Sequence, residues 1–398
     1  MPSPTAYLER IRLLQFQKYA TATDVTGDPA APYFLDARNG FMMDTDQARV
    51  PRDLIQNKNE NWASINGVKS GGVNFGLEMR GLANGGAASG ETAAYDTETQ
   101  LGTILDVITG ANGANSTGGA ADPAPGTGTT VATTAGVWTV GTAMLLEGVT
   151  SGVLQAREVT VENSPDFTFD RTLLQADSTP ENVDPSSVIY ASSSWYLDAA
   201  NANHLHGWFQ AEGDTFTRKF RGCMSNMSFE LESGGICMAN TEWQATNWVA
   251  SGTGGSLTYA AAPAGDPIIA KDLLFCIGNT RYDLISVSVD LGLEFTPKAA
   301  LDATNAISGF KCIRMNPTIT CKLYYDNSTF LNNLQAEGTL DLNLQCGVTA
   351  GRTMMFRMPN ADPRDVKHST TDGIETMDVV FHGTNPTAGN GGLRIHIF

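Results

Sequence analysis

The chain has 398 residues, room for two domain-sized cores, and its 41% hydrophobic content argues against wholesale disorder. Only 17% of residues are charged while 41 are glycine, a balance that suits turn-rich β architecture or extensive surface buried between copies. The net charge of −17 argues against a protein that grips nucleic acid through clustered Lys and Arg.

The first residues, MPSPTAYLERIRLLQFQ, set charges among their apolar side chains and lack a signal-peptide core. No window approaches the ~18 apolar residues of a membrane span. An intracellular product without membrane insertion is expected. Residues 1–70 carry little regular pattern and include Pro29, Pro32 and Pro51, so they read as an extended N-terminal arm with one early strand at Arg12–Tyr19. A strand follows at 72–81 (GVNFGLEMRG). Thr97–Thr109 then places Leu101, Ile104, Leu105 and Ile108 on one helical stripe, with Gly110 as its stop.

Residues 110–136 are low-complexity Gly, Ala, Thr and Pro, a flexible loop or linker. Short strands at AMLLEG, AREVTV and FTFDRTL within 137–191 read as a small inserted β module. Beyond it, period-two alternation dominates. Met227, Phe229 and Leu231 oppose Ser228, Glu230 and Glu232. In Leu284–Phe295 the apolar phase runs Ile285, Val287, Val289, Leu291, Leu293 and Phe295, which predicts one long strand. Ile319, Cys321, Leu323 and Tyr325 repeat the pattern, as do Leu340, Leu342 and Leu344 against Asp341, Asn343 and Gln345. Between these two lies a second predicted helix, Ser328–Glu337, capped by Ser328 and ended by Gly338.

The order strand, helix, strand, strand, strand therefore occurs twice, which reads as two copies of one fold in a single chain. The domain plan is an arm at 1–70, a first domain from 71–128 and 192–250, an inserted module at 129–191, and a second domain at 251–398.

Candidate chemistry is sparse. Cys223, Cys237, Cys276, Cys312, Cys321 and Cys346 form no CxxC pair and read as free, buried thiols. His204 and His206 share a strand face at metal-ligand spacing, but no third ligand is evident, so they read as ordinary surface or interface histidines. Trp208, Trp243 and Trp248 with Phe209 read as core or interface packing, because neighbours in a strand point to opposite faces and cannot form one sugar platform. No G-x-S-x-G elbow, P-loop, HExxH or dinucleotide fingerprint is present, so no enzyme activity and no cofactor are expected. The polar-phase carboxylates Glu230, Glu232, Asp290, Glu294, Asp341 and Asp378 read as a solvated face before a catalytic one.

The early strand and arm running to VPRDL (50–54), the strand FELESGG followed by ICMANTEW, the strand ISVSVDLGLEF and the C-terminal GIETMDVVFHG together resemble the long form of the siphovirus major tail tube protein. The resemblance covers roughly residues 5–110 and 200–398 and rests on pattern, with no single diagnostic motif. It implies β-sandwich or barrel domains with a flanking helix, copies forming rings, and rings stacking into a virion tail tube through which DNA and the tape-measure protein pass. It further implies three chains per pseudo-sixfold ring, with the insert as an outward decoration and the six carboxylates as candidates for the lumen wall, where negative charge repels phosphate. The arm and the 82–96 loop would carry ring-to-ring contacts. The alternative is a β-sandwich binding module, a virion decoration protein or a carbohydrate-binding adhesin, for which a monomer with an exposed aromatic groove is expected.

Overall fold

The computed structural model describes residues 11–20, 27–29, 32–35, 37–50, 65–82, 100–110, 119–120, 129–132, 140–163, 166–198, 204–213, 216–232, 234–251, 266–301, 306–324, 338–371, 373–384 and 390–398. The protein is mainly β, as its alternating patterns predict. The first strands are β1 (Ile11–Lys18), β2 (Tyr33–Leu35), β3 (Ala37–Val50) and β4 (Ile65–Glu78), followed by helix α1 (Gln100–Thr109). The insert contributes β5 (Gly119–Ala120), β6 (Thr130–Ala132), β7 (Ala143–Glu147), β8 (Leu154–Asn163), β9 (Asp166–Phe169), β10 (Leu173–Leu174), β11 (Pro180–Glu181) and β12 (Val188–Ala191). The first half resumes with β13 (Ser193–Asp198), β14 (Gly207–Gly213), β15 (Thr217–Leu231) and β16 (Met238–Ser251). The second half holds β17 (Leu274–Ile277), β18 (Thr280–Tyr282), β19 (Leu284–Asp290), β20 (Leu293–Ala299), β21 (Ile307–Met315), β22 (Thr318–Tyr324), β23 (Leu340–Cys346), β24 (Met354–Thr371), β25 (Ile374–Gly383) and β26 (Asn390–Ile397).

The two halves run through one strand order. Hydrogen-bonded neighbours in the first half are β2-β1-β14-β15-β16-β4-β3, and in the second β18-β17-β23-β24-β25-β22-β19. Even the irregularities match. The β14–β15 ladder slips between the pairs Gly207–Cys223 and Phe209–Phe220, and the β23–β24 ladder slips between Leu340–Ala361 and Leu342–Met358. A bulge bends a strand and lets it turn a corner between packed sheets. Aromatic side chains pack between strands within each half: Phe75 of β4 meets Phe209 of β14 at 5.6 Å, and Phe381 of β25 meets Phe275 of β17 at 6.4 Å.

The halves are also joined, strand to strand. Residues 228–231 of β15 lie beyond the end of β14, and β19 pairs there: Ser228 with Asp290, Phe229 with Val289, Glu230 with Ser288 and Leu231 with Val287. The hairpin of β20 and β21 clasps the joint. Asn226 donates to Asp290 Oδ1 (2.7 Å) and accepts the Leu293 amide (3.0 Å), while His206 Nε2 accepts the Phe310 amide (2.8 Å). Elsewhere β26 pairs with β24 on one side and with β13 of the first half on the other.

Leu284–Phe295 is two strands where alternation alone predicts one. The side-chain phase is correct, with Val287, Val289, Leu291 and Leu293 buried, but the chain breaks at Gly292, whose φ is +59°. There the Asp290 carboxylate accepts the Gly292 amide (2.8 Å) and β20 leaves the main sheet to pair with β21. Residues 37–50, assigned above to an unpatterned arm, form β3 in a long ladder with β4. Helix α1 ends at Gly110 as predicted, in a left-handed turn (φ +78°), with Ile104, Leu105 and Ile108 buried. The predicted helix at Ser328–Glu337 lies outside the described residues.

A methyl group on Gly292 would collide with the Asn316 carbonyl, in a backbone region that L residues adopt only under strain. Gly292→Ala is expected to cost about 2 kcal/mol of stability, read from the midpoint of urea unfolding.

Candidate functional site

Two polar sites emerge from this scaffold, one buried and one open. The buried site forms where the insert lies on the second half. Strand β8 supplies Arg157 and Glu158, the turn after β9 supplies Asp170 and Arg171, and β23, β24 and β26 supply Asp341, Arg357, Arg394 and His396. Arg357 reaches Glu158 (2.6 Å), Asp341 (3.3 Å) and Asp170 (3.5 Å). Arg171 bridges Asp170 (3.0 Å) and Asp341 (3.2 Å), and Arg394 pairs with Glu158. Three guanidiniums thus meet three carboxylates, with Arg157 buried beside them and bound to the Thr172 and Ala156 carbonyls, a setting in which each buried ion relies on its partners to offset desolvation.

Side-chain bonds to the main chain complete the junction. Gln345 accepts the Ala156 amide (2.7 Å) and donates to the Leu154 carbonyl (2.9 Å), stitching β23 to β8. Ala143, Leu145 and Ala156 of the insert pack on Met355 and Phe398 in a small core of their own. The polar phase of β23 is therefore buried too: Asn343 and Gln345, read from alternation as solvent-facing, are 3% and 1% exposed. Gln155, Arg157, Arg281 and Asn343 line the void left in this region, about 10 Å³, room for a water at most.

Titration follows from the same geometry. Burial pushes Asp170 up, but Arg357, Arg171 and Arg157 outweigh it and hold the carboxyl below its ordinary value. Burial pulls Arg157 down to about 10, against the pull of Asp170. His396 stands 3.8 Å from Glu158, close enough for an ion pair, yet burial and the flanking Arg394 and Arg357 push it down to about 3, so it is neutral and hydrogen-bonded to Ser194 (2.8 Å).

The open site is the polar face of the strands around the joint. Glu230, Glu232 and Asp378 share one shallow groove with Lys322, Ser286, Ser288 and Thr320. The six carboxylates singled out above thus fall in different places. Glu230, Glu232 and Asp378 come together. Asp290 is taken up by Asn226 and the Gly292 turn, Glu294 stands on the β20–β21 hairpin beside Arg314 (3.6 Å), and Asp341 belongs to the buried cluster. Nearby, a cleft of about 720 Å³ opens between the β3–β4–β16 strands and the β20–β21 hairpin, bordered by Met42, Asp44, Glu242, Pro297 and Phe310.

The histidines are not on the surface as expected. His204 and His206 are 4% and 2% exposed, and His206 serves as the hairpin's acceptor. Trp208 and Trp243 are buried packing residues; Trp208 also donates to Asp28 (3.2 Å), which in turn binds Lys219 (2.6 Å) and Arg221 (2.7 Å). All six cysteines are free and buried. Among the described residues no group of three or more His, Cys, Asp or Glu is placed to hold a metal, and no helix is long and apolar enough to cross a membrane. No protein-family model and no curated protein matches the chain.

Sequence reasoning missed the buried cluster because its members are scattered from 157 to 396. The one available signal was arginine and glutamate on otherwise apolar strand phases.

Arg357→Met removes one partner each from Glu158, Asp170 and Asp341, leaving Glu158 to Arg394 and the two aspartates to Arg171, and is expected to cost about 3 kcal/mol by chemical denaturation. The fold keeps His396 neutral (its ordinary value, 6.5, falls to about 3), so stability is full above pH 6.5 and is lost as pH falls toward 3. The expected slope is at most about 1.4 kcal/mol per pH unit from this group. His396→Gln should flatten that part of the curve, measured as urea midpoint against pH.

Proposed function

We propose that this chain is the building block of the tail tube of a long-tailed bacteriophage, a structural virion protein and not an enzyme. Copies assemble into rings, and rings stack into a conduit for DNA. One observation carries the reading: the two halves repeat one strand order down to the position of a bulge, and join sheet edge to sheet edge within the chain. A chain holding two such units, already joined in the manner of ring neighbours, needs three copies to make a pseudo-sixfold ring.

The open acidic groove adds support. Glu230, Glu232 and Asp378 lie beside the joint itself, so a ring repeating it would repeat their charge around one wall. Facing a lumen, they would keep phosphate from sticking as DNA slides past, with no specific DNA contact. The tape-measure protein and other tail proteins are the remaining expected partners. The insert, fixed by its buried cluster to the layer of β23, β24 and β26, is the outward module of this arrangement. Outside β3, the N-terminal arm and the 82–96 loop are assigned the ring-to-ring contacts; of these segments residues 1–10, 51–64 and 83–96 lie outside the described residues.

Electron microscopy and native mass spectrometry of purified protein test the reading. Rings or tubes of three chains per turn are expected. Six chains per turn would remove the duplication from the account, and a persistent monomer would favour a binding module. Replacing Glu230, Glu232 and Asp378 together with Lys is expected to leave tubes intact and slow DNA ejection from assembled phage. Ejection at the normal rate would remove the lumenal role of these residues.

A further inference from the structure

The joint between the halves has two ingredients, and each half owns a copy of both. One is the outer edge of the last strand in the repeat, β19 in the second half and β3 in the first. The other is the far portion of the long bulged strand, residues 228–231 of β15 in the first half. Its counterpart in β24 follows from the ladders. Ala361 opposite Gly383 corresponds to Cys223 opposite Ala245, since Ala361 and Cys223 flank the same bulge. Counting five residues back along β25 and β16 makes Asp378 the counterpart of Asn240, and so Lys367, opposite Asp378, the counterpart of Ser228, opposite Asn240.

The strand β3 aligns with β19 by the same reasoning. Thr318 pairs with His382 as Gly72 pairs with Gln244, and these are equivalent sites. Asp290 opposes Thr318 and Asp44 opposes Gly72, so Asp44 is the counterpart of Asp290. Within the chain β19 and residues 228–231 of β15 satisfy each other. Their counterparts do not meet: among the described residues β3 pairs with β4 alone, and residues 367–370 of β24 pair with β25 alone.

We infer that β3 of one chain pairs antiparallel with the far half of β24 of the next, reproducing between chains the joint that β19 and β15 make within one. Carrying the register across opposes Asp44 to Lys367, Met43 to His368, Met42 to Ser369 and Phe41 to Thr370. Both partners of the first pair are exposed and opposite in charge. Met42, 63% exposed on a 14-residue edge strand, is an aggregation liability in a monomer and a covered side chain in this pairing. Because the two edges differ, the contact runs head to tail and closes only as a ring. This pairing rests on the ring reading above and specifies which strands make it.

The test uses full-length protein with Asp44→Cys and Lys367→Cys, made singly and together. The native cysteines are buried and leave the introduced thiols to react. Mild oxidation of the two single variants mixed is expected to give a covalent dimer, and of the double variant a ladder ending at the ring size. Asp44→Cys with Thr371→Cys, four residues out of register, should not cross-link. Asp44→Lys alone and Lys367→Asp alone are expected to raise the concentration needed for assembly by about tenfold, with recovery in the double reversal. Unchanged thermal unfolding of the monomer establishes that each variant is folded. Wild-type rings together with absent cross-links and unaffected charge reversals would overturn the pairing and leave the tube reading standing. Wild-type protein that forms no rings would overturn both.

Discussion

A β-strand has two edges, and each must find a partner, water or a cover. The long strands β15 and β24 meet this constraint in an unusual way, because the strand on one side of each stops partway. Past the bulge near Cys223 the β15 backbone has lost β14, and β19 takes its place. The rest of the centre follows from this exchange. Gly292 must turn the chain immediately after β19, the Asp290 carboxylate must cap that turn, and the β20–β21 hairpin must fold back over the joint, where Asn226 and His206 hold it. The corresponding length of β24 has lost β23 in the same way and, among the described residues, gains no strand from its own chain.

Charge is partitioned by the same architecture. The chain has 25 basic residues, and four arginines are committed to one buried cluster that fixes the insert. Such a cluster contributes little net stability compared with an apolar junction, but breaking any part of it leaves ions stranded, so it favours one seating of the insert over others. The carboxylates of the open groove have one lysine among them, Lys322, and remain hydrated. A low charged fraction and a strongly negative total thus describe two different things: surfaces buried within and between units, and a residual acidic face.

Alternation was a faithful guide wherever one side of a strand faces the core and the other faces water. Met227, Phe229 and Leu231, then Ile319, Cys321 and Leu323, are buried as their phase predicts. It misled at β23, whose polar phase is covered by the insert: Asn343 and Gln345 are buried by residues nearly two hundred positions earlier in the chain. It was silent at β3. ARNGFMMDTDQARV has no clean period, and that segment is a strand because β4 offers it a ladder.

The amino-acid sequence by itself determined the mainly β character, the apolar phase of the long strands, the end of α1 at Gly110 and the repeated order of strands, because each is written in local periodicity or local backbone preference. Only the tertiary structure decided which edge meets which, which carboxylates share a face, and that arginines from three separated stretches converge on Asp170, Glu158 and Asp341. Main-chain pairing carries no side-chain signature, and a buried ion finds its partner through space. Both depend on contacts between distant segments, and a period of two records nothing about them.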